Sequence, residues 1–378
     1  MNYKLSELCE YVKGKVYVEA LNSANYVSTE NMLPNKEGIV QATTLPSLGQ
    51  TQIFKSGDVL VSNIRPYFKK IWYAQFDGGC SNDVLVFRAK EGVNDRFLYY
   101  VLANDSFFDY SMATSKGTKM PRGDKSSLMK YEIHDVAYKN QDKIAEVLEV
   151  LDQKIQVNKQ INDNLLQQAQ AIFTNEFASL QTIPNGWKEG SLLDIADYLN
   201  GLAMQKFRPK ENEECLPVLK IKELRQGFCD TSSDLCSQSI NPEYVIHDGD
   251  VVFSWSGSLL VDFWCGGDCG LNQHLFKVSS KKYDKWFYFA WTKHHLQKFI
   301  AIASGMATTM GHIKREELEK AKVLIPSPSD YQRIGNILKP LYELVISNRI
   351  ENKKLSELRD SLLPKLMSGE LDVSDIEI

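Results

Sequence analysis

An internal repeat with a period near 190 residues constrains the fold of this 378-residue chain more than any other feature. Residues 57–62 (GDVLVS) recur as 249–254 (GDVVFS), and residues 8–14 (LCEYVKG) correspond to 195–201 (IADYLNG). The period is too long for a solenoid and is typical of a duplicated domain with its connector. The sequence therefore predicts two lobes of the same fold.

A heptad pattern follows each lobe and predicts a long amphipathic helix. In the first half the seam consists of Ile144, Leu148, Leu151, Ile155, Asn158, Asn162, Leu165, Ala169 and Ile172. In the second half it consists of Ile334, Leu338, Leu341, Val345, Asn348, Asn352 and Leu355. The second seam repeats the first at an offset of 190 residues, and both asparagines are repeated with it.

Asparagines within an apolar seam fix the register of a helix pair, because a buried amide needs a hydrogen-bonding partner. Two equivalent units can share one closed interface through a pseudo-twofold axis, which makes their helices antiparallel. We therefore expect Asn158 and Asn162 to lie near Asn352 and Asn348. Pro340 should bend or break the second helix near Lys339, since proline removes a helical hydrogen bond.

The predicted fold class is α+β, with two pseudo-repeated α/β domains joined by two long helices that pair as an antiparallel coiled coil. Short strands rich in Val, Tyr and Phe alternate with helices such as residues 97–104. The predicted divisions are two recognition lobes and two helical spacers. They comprise residues 1–138 (first lobe), 139–180 (first spacer), 181–328 (second lobe) and 329–378 (second spacer).

Charge and cysteine content limit the classes of function. The net charge is −4, whereas many autonomous DNA-binding proteins are strongly basic. Residues 1–140 carry 17 basic and 15 acidic side chains, and residues 181–328 carry 17 and 18, so any DNA contact belongs to local patches. Seven irregularly spaced cysteines, and a start without a signal peptide or membrane anchor, predict reduced thiols in a cytoplasmic protein.

Several motifs resemble those of the specificity subunits of type I restriction-modification systems, and the resemblance spans the whole chain. Residues 57–60 and 249–252 are similar to the family's Gly-Asp-aliphatic strand. Residues 325–328 (IPSP) resemble its entry to a spacer helix, and residues 362–371 (LLPKLMSGEL) resemble its C-terminal end.

The resemblance implies a non-catalytic DNA-binding subunit with two target recognition domains. Each domain would read one half of an interrupted double-stranded DNA site, and the helices would set the gap. The implied partners are two modification (methyltransferase) subunits and the ATP-dependent restriction subunits, in a system that methylates host DNA and defends against phage. No cofactor or metal is expected on this chain.

Two other functions are compatible with parts of the sequence. Residues 241–244 (NPEY) approach the Asn-Pro-Pro-Tyr motif of adenine methyltransferases, but the third residue differs and no cofactor loop precedes it. A coiled-coil adaptor that binds only proteins would also suit near-neutral lobes. Cys265, Cys269 and His274 have spacing that zinc could use, although a Gly-Gly-Asp turn with buried thiols explains the same residues.

Loops rich in cations, amides and hydroxyls are the candidate DNA-binding residues, because such groups reach phosphates and base edges. In the first lobe the candidates are Arg65, Tyr67, Lys69, Lys70, Asn82, Lys116, Thr118, Lys119 and Arg122. In the second lobe they are Lys206, Arg208, Ser256, Ser258, Gln273, Thr308, Thr309, His312 and Lys314. Unlike residues at corresponding positions, such as 64–67 (IRPY) and 255–258 (WSGS), predict an asymmetric target.

Overall fold

The structure is a computed structural model that describes residues 2–47, 49–117, 119–305 and 311–373. The chain divides into two compact units. The first unit comprises Met1–Gln153 and Leu355–Ile378, and the second comprises Lys154–Lys354. Within the described ranges, no helix has the length and apolar character needed to cross a membrane.

The first unit is built on two four-stranded sheets and a short two-stranded one. Its strands are β1 (Asn2–Lys4), β2 (Cys9–Tyr11), β3 (Lys15–Tyr17), β4 (Tyr26–Val27), β5 (Gln50–Phe54), β6 (Val59–Ser62), β7 (Ile71–Tyr73), β8 (Gly78–Cys80), β9 (Val84–Ala89) and β10 (Glu132–His134). Its helices are α1 (Leu5–Leu8), α2 (Asp95–Ala103), α3 (Asp105–Ala113), α4 (Lys125–Leu128), α5 (Asp135–Lys139) and the beginning of α6 (Gln141–Phe173). The sheet orders are β2-β9-β6-β7, β3-β5-β8-β4 and β1-β10.

The second unit repeats this plan. Its strands are β11 (Lys188–Ser191), β12 (Asp197–Asn200), β13 (Cys215–Leu219), β14 (Leu235–Ser237), β15 (Val245–Ile246), β16 (Val251–Ser254), β17 (Leu260–Phe263), β18 (Cys269–Leu271), β19 (Leu275–Ser279) and β20 (Lys322–Ile325). Its helices are the end of α6, α7 (Leu192–Ile195), α8 (Ile221–Gln226), α9 (Lys285–Ser304), α10 (Arg315–Glu319) and most of α11 (Pro328–Ser368). The sheet orders are β12-β19-β16-β17, β15-β18-β13-β14 and β11-β20.

The sheets show where the repeat is kept and where it diverges. The order β2-β9-β6-β7 corresponds strand for strand to β12-β19-β16-β17, and both are antiparallel throughout. In the other sheet, β4 runs parallel to β8 as β13 runs parallel to β18. The outer strand differs, because β3 pairs with β5 whereas β14 pairs with β13.

The Gly-Asp motif forms the same turn before β6 and before β16. Gly57 and Gly249 have φ angles of +90° and +84°, a left-handed conformation that glycine adopts without a Cβ penalty. The next residue, Asp58 or Asp250, accepts the backbone N–H three positions earlier and pairs with a cation on the neighbouring strand. That cation is Arg88 in β9, with both N···O distances at 2.7 Å, and Lys277 in β19 at 2.9 Å.

A separate apolar core stabilises each unit. In the first, α2 and α3 pack on the β2-β9-β6-β7 sheet together with Ile144, Leu148 and Leu366 from the long helices. In the second, the aromatic run at 286–291 lies in the core around Phe253 and is buried throughout. The aromatic residues of that run therefore stabilise the fold.

Within each unit, α6 and α11 pack against one another as antiparallel helices. In the second unit, Asn158 Nδ2 donates to Asn352 Oδ1 at 2.8 Å, and Asn348 Nδ2 donates to Asn162 Oδ1 at 2.9 Å. Asn162 also donates to the Val345 carbonyl, and Asn352 donates to the Ile155 carbonyl. These bonds form two equivalent pairs at the 190-residue offset, and the α+β class with paired helices is confirmed.

The first unit holds its portions of the two helices by a charged contact. Arg359 Nη1 lies 2.8 Å from Asp152 Oδ1, and Asp152 Oδ2 also accepts the Tyr100 hydroxyl of α2 at 2.9 Å. Leu363 and Leu366 join Ile144 and Leu148 in the same apolar cluster. The helix pair is thereby attached to the lobe of its own unit.

Of the bend or break expected near Lys339, the break is wrong, because α11 continues through Pro340 from Pro328 to Ser368. Proline leaves the carbonyl of Asn336 without its usual helical donor. Both Asn336 and Pro340 are exposed, so water can hydrogen-bond to that carbonyl. The core-facing Leu338 and Val345 keep the helix packed on either side.

Candidate nucleic-acid interface

Three segments of the first unit meet at the end of β6, and we call them the first loop cluster: residues 63–70, 82–83 and 116–123 except 118. Asn63 N donates to the Asp83 carbonyl at 2.8 Å, and Arg65 N donates to the Pro121 carbonyl at 2.8 Å. Gly123 N donates to the Asn63 carbonyl at 3.3 Å. Backbone hydrogen bonds thus position the three segments.

The second unit contains an equivalent arrangement at the end of β16, the second loop cluster: residues 255–258, 272–274 and 311–314. Trp255 N donates to the His274 carbonyl at 3.4 Å, and Gly257 N donates to the Gly311 carbonyl at 3.0 Å. Ile313 N donates to the Trp255 carbonyl at 3.0 Å. These three bonds repeat those of the first cluster, so the two loop frameworks have the same construction.

Exposed ion pairs hold two cations of the first cluster, Arg122 and Lys116. Arg122 Nη2 lies 3.1 Å from Asp83, and Lys116 Nζ lies 2.7 Å from Asp124. The hydrogen bond from Lys116 holds the pKa of the Asp124 carboxyl well below its usual range. Because these pairs are exposed, they contribute little to stability, and DNA acceptors can compete for the cations.

A neighbouring loop adds a cation that sequence reasoning missed. Lys36 Nζ and Lys69 Nζ both bind Asp105, at 2.8 and 2.9 Å. Burial raises the pKa of the Asp105 carboxyl, but hydrogen bonds from the two lysines outweigh burial and bring it below its usual value. Lys36 lies in neither a repeated motif nor a basic run, so only the folded chain shows its place beside Lys69.

The remaining candidates of the first unit differ in exposure. Tyr67 is 49% exposed and forms a tilted ring pair with Phe68, with centroids 4.6 Å apart, so an aromatic face is open to solvent. Lys70 is partly buried and donates to the Thr29 carbonyl at 2.7 Å. Burial lowers the pKa of Lys70. Asn82 and Lys119 are exposed, and Thr118 lies outside the described residues.

The second cluster contains aromatic and imidazole rings, and His312 occupies the position of Arg122. The Trp255 ring lies 6.2 Å from His274 and 6.1 Å from His312, and its Nε1 donates to Asn200 at 2.9 Å. Ser256 is buried, and its hydroxyl hydrogen-bonds to His274 Nδ1 at 3.1 Å, so it positions the His274 ring from the protein interior. In the sequence, Trp255 stands out only as a difference between the lobes.

The other candidates of the second unit are distributed around this cluster. Ser258 and Lys314 are exposed, and Gln273 is partly exposed with its Nε2 3.4 Å from His274 Nε2. Lys206 and Arg208 are exposed on the segment that follows Leu202, which forms a β-bridge with Asn272 of the second cluster. Thr308 and Thr309 lie outside the described residues.

The residues considered for zinc or methyl transfer have other contacts. Cys265 is buried near the Ile346 carbonyl, Cys269 is buried, and His274 is bound to Ser256. Across the described ranges, no three His, Cys, Asp or Glu side chains form a metal-binding group. Asn241 accepts the N–H of Glu243 and caps the short 3-10 helix Pro242–Tyr244, as expected for turn chemistry.

Comparisons with known proteins assign this architecture to a family. A family model described as the type I restriction modification DNA specificity domain matches residues 1–167 and again residues 184–359. The MjaIX specificity subunit of Methanocaldococcus jannaschii is 28% identical over 310 residues, which cover 76% of this chain and 71% of the relative. The HindI specificity subunit of Haemophilus influenzae is 21% identical over 454 residues and is matched over 98% of this chain and 99% of its own.

A solved structure shows the same fold. The crystal structure of the S subunit of a type I restriction-modification system from M. genitalium aligns with 99% of this chain and 96% of its own, with a TM-score of 0.58 at 15% identity. The family model matches both halves of the repeat and most of the chain. The chain therefore belongs to the family of type I restriction modification DNA specificity proteins.

Proposed function

We propose that this chain reads a two-part, asymmetric DNA target, with each loop cluster contacting one half of the site. As a type I specificity subunit, it would select the sequence on which modification and restriction subunits act. The helices α6 and α11 would dock two modification subunits. The chain itself would be non-catalytic, and its DNA target would place it in the cytoplasm.

The observation that supports this proposal most strongly is the pairing of a repeated backbone framework with unlike side chains. The loops after β6 and β16 share three equivalent backbone hydrogen bonds, so the framework was retained after duplication. Their side chains differ, with Arg122 and Arg65 in one cluster where His312 and Gly257 occupy the other. The same loop backbone carrying different hydrogen-bond donors suits two domains that recognise different base sequences.

The predicted boundaries of the recognition lobes at 1–138 and 181–328, with spacers at 139–180 and 329–378, belong to the same proposal. The two asparagine pairs of the seams, Asn352 with Asn158 and Asn348 with Asn162, would fix the register of the two spacers. A fixed register would in turn fix the number of base pairs between the two half-sites.

Co-expression with a cognate modification subunit tests the proposal. The genome of a host lacking other adenine methylation would be sequenced for N6-methyladenine in cells with both proteins, with this chain alone and with the modification subunit alone. We expect one bipartite motif only when both proteins are present. Methylation by this chain alone would show a methyltransferase, and a stable complex without any motif would show an adaptor.

A further inference from the structure

Left-handed backbone is concentrated in two touching loops of the first unit. Five described residues other than glycine have φ near +50° to +65°, and four of them are Asn35, Lys36, Arg65 and Lys69. The loops contact each other directly, because Asn35 N donates to the Phe68 carbonyl and Lys36 N to the Lys69 carbonyl. This conformation is disfavoured for residues with a Cβ, and such strain clusters at functional sites.

The repeat shows what the backbone requires at Arg65. Its φ is +50°, its N–H donates to the Pro121 carbonyl and its carbonyl accepts from Phe68 N. The equivalent residue of the second unit is Gly257, with a φ of +65° and the corresponding bond to Gly311. Glycine satisfies this position without strain, so the framework gains nothing from an arginine.

The side chain of Arg65 also differs from its cationic neighbours. Lys69, Lys70 and Arg122 each contact a protein oxygen. In the described part of the chain, no hydrogen bond or ion pair is formed by the Arg65 guanidinium, and its Nε is buried without a partner. The nearby Asn63 Oδ1 is buried without a partner too. A partly buried guanidinium is costly unless its N–H groups find acceptors, and because Nε is buried, an acceptor from outside the protein can reach only the terminal Nη groups.

We propose that Arg65 is a specificity-determining residue whose guanidinium donates two hydrogen bonds to O6 and N7 of a guanine in one half of the DNA target. This inference rests on the proposed function. The fixed backbone and the buried Nε hold the planar guanidinium in one orientation. Its paired N–H donors match the two acceptors on the edge of guanine. The same pair of donors can bind a phosphate, but a phosphate contact does not require a side chain fixed on a strained backbone, since flexible lysines supply it as point charges. Gly257 supplies no such group, so the contact belongs to one half-site.

Two variants of Arg65 and one matched control test this. Arg65→Lys keeps the positive charge but loses the paired N–H donors of the guanidinium. Arg65→Gly removes the side chain and also relieves the strain of the left-handed backbone at this residue. Asn212→Gly, at the fifth left-handed residue, changes backbone strain outside the loop pair. Each would be co-expressed with the modification subunit for methylome sequencing, and the thermal unfolding of each purified chain would be measured.

We expect both Arg65 variants to accept other bases at one guanine of one half-site, with discrimination reduced about tenfold or more. The Tm of Arg65→Gly should be equal to or above that of the wild type, and Asn212→Gly should leave the motif unchanged. If Arg65→Gly fails to fold, the methylation motif obtained with Arg65→Lys still tests the guanine contact.

Three results would overturn the inference. The first is an unchanged motif in both Arg65 variants. The second is uniformly weaker methylation with unchanged base preference and a shallower salt dependence of DNA binding by the purified complex, which would identify a phosphate contact. The third is a lower Tm for Arg65→Gly with an unchanged motif in Arg65→Lys, which would identify a packing role. Absence of any motif with the wild-type chain would instead refute the proposed function.

Discussion

The two units share a backbone framework but differ in the side chains it presents. The loops after β6 and β16 are joined by the same three backbone hydrogen bonds, and the same Gly-Asp turn precedes both strands. The first cluster presents arginines and lysines, whereas the second presents Trp255, His274 and His312. Duplication has therefore preserved the groups that position the loops, and divergence has occurred where side chains face outward.

The largest expected difference concerns the Gly-Asp turn, which is held more tightly in the first unit. Asp58 is 2% exposed and accepts two bonds from the Arg88 guanidinium, whereas Asp250 binds a single ammonium from Lys277. We expect Asp58→Ala to destabilise its unit by about 3 kcal/mol and Asp250→Ala to destabilise the other by about 1.5 kcal/mol. Hydrogen exchange of the β6 and β16 amides measures the two units separately.

The variants Asp58→Asn and Asp250→Asn are matched controls, because they keep the size of the side chain and remove its charge. Equal losses of stability in Asp58→Ala and Asp250→Ala, or a greater loss in Asp250→Ala, would contradict the difference drawn between the two turns.

The asparagine seam distinguishes the second unit from the first, where Arg359 and Asp152 link the helices instead. Asn348→Leu leaves the buried Asn162 Oδ1 without its donor and should cost about 2 kcal/mol, and Asn162→Leu should cost a similar amount. The double variant should lose much less than the sum, because both polar partners are gone. Chemical denaturation of the four chains gives the coupling energy, and additive losses would show that the two amides act independently.

Acid should destabilise the second unit more than the first. Five of the six histidines lie within residues 181–328, and burial lowers the pKa of both His294 and His295 in α9. A base whose pKa is lower in the folded state contributes stability at high pH, and this is lost as pH falls through its unfolded value of 6.5.

Hydrogen exchange of α9 and α2 amides at pH 7.5 and 5.5 measures this effect. Protection of α9 should fall more than that of α2, and His294→Gln with His295→Gln should reduce the difference. An equal fall in both helices, or an unchanged difference in the variant, would contradict the assignment to these histidines.

Much of the fold is predictable from sequence because the signals are local and repeated. The seams at spacings of three and four predict the helices, and the offset of 190 residues predicts their equivalence. The effect of Pro340 is not predictable in this way, since it depends on the exposure of Asn336 to water in the folded chain.

The candidate site is less accessible to sequence reasoning. Residues after the Gly-Asp strands can be named, but their contacts depend on tertiary structure. Ser256 is directed inward to His274, and Lys36 reaches Asp105 from a loop with no sequence signature. The strain at Arg65 is visible only in its backbone angle.

The central claim is that the two units recognise different half-sites through the same loop backbone. Its most direct test compares Arg122→Ala with His312→Ala, which occupy equivalent positions in the repeat. Methylomes of cells expressing each variant with the modification subunit would be sequenced. Each substitution should relax base selection in one half of the motif, and the two should relax opposite halves. Relaxation of the same half by both variants, or of neither half, would contradict the assignment of one half-site to each unit.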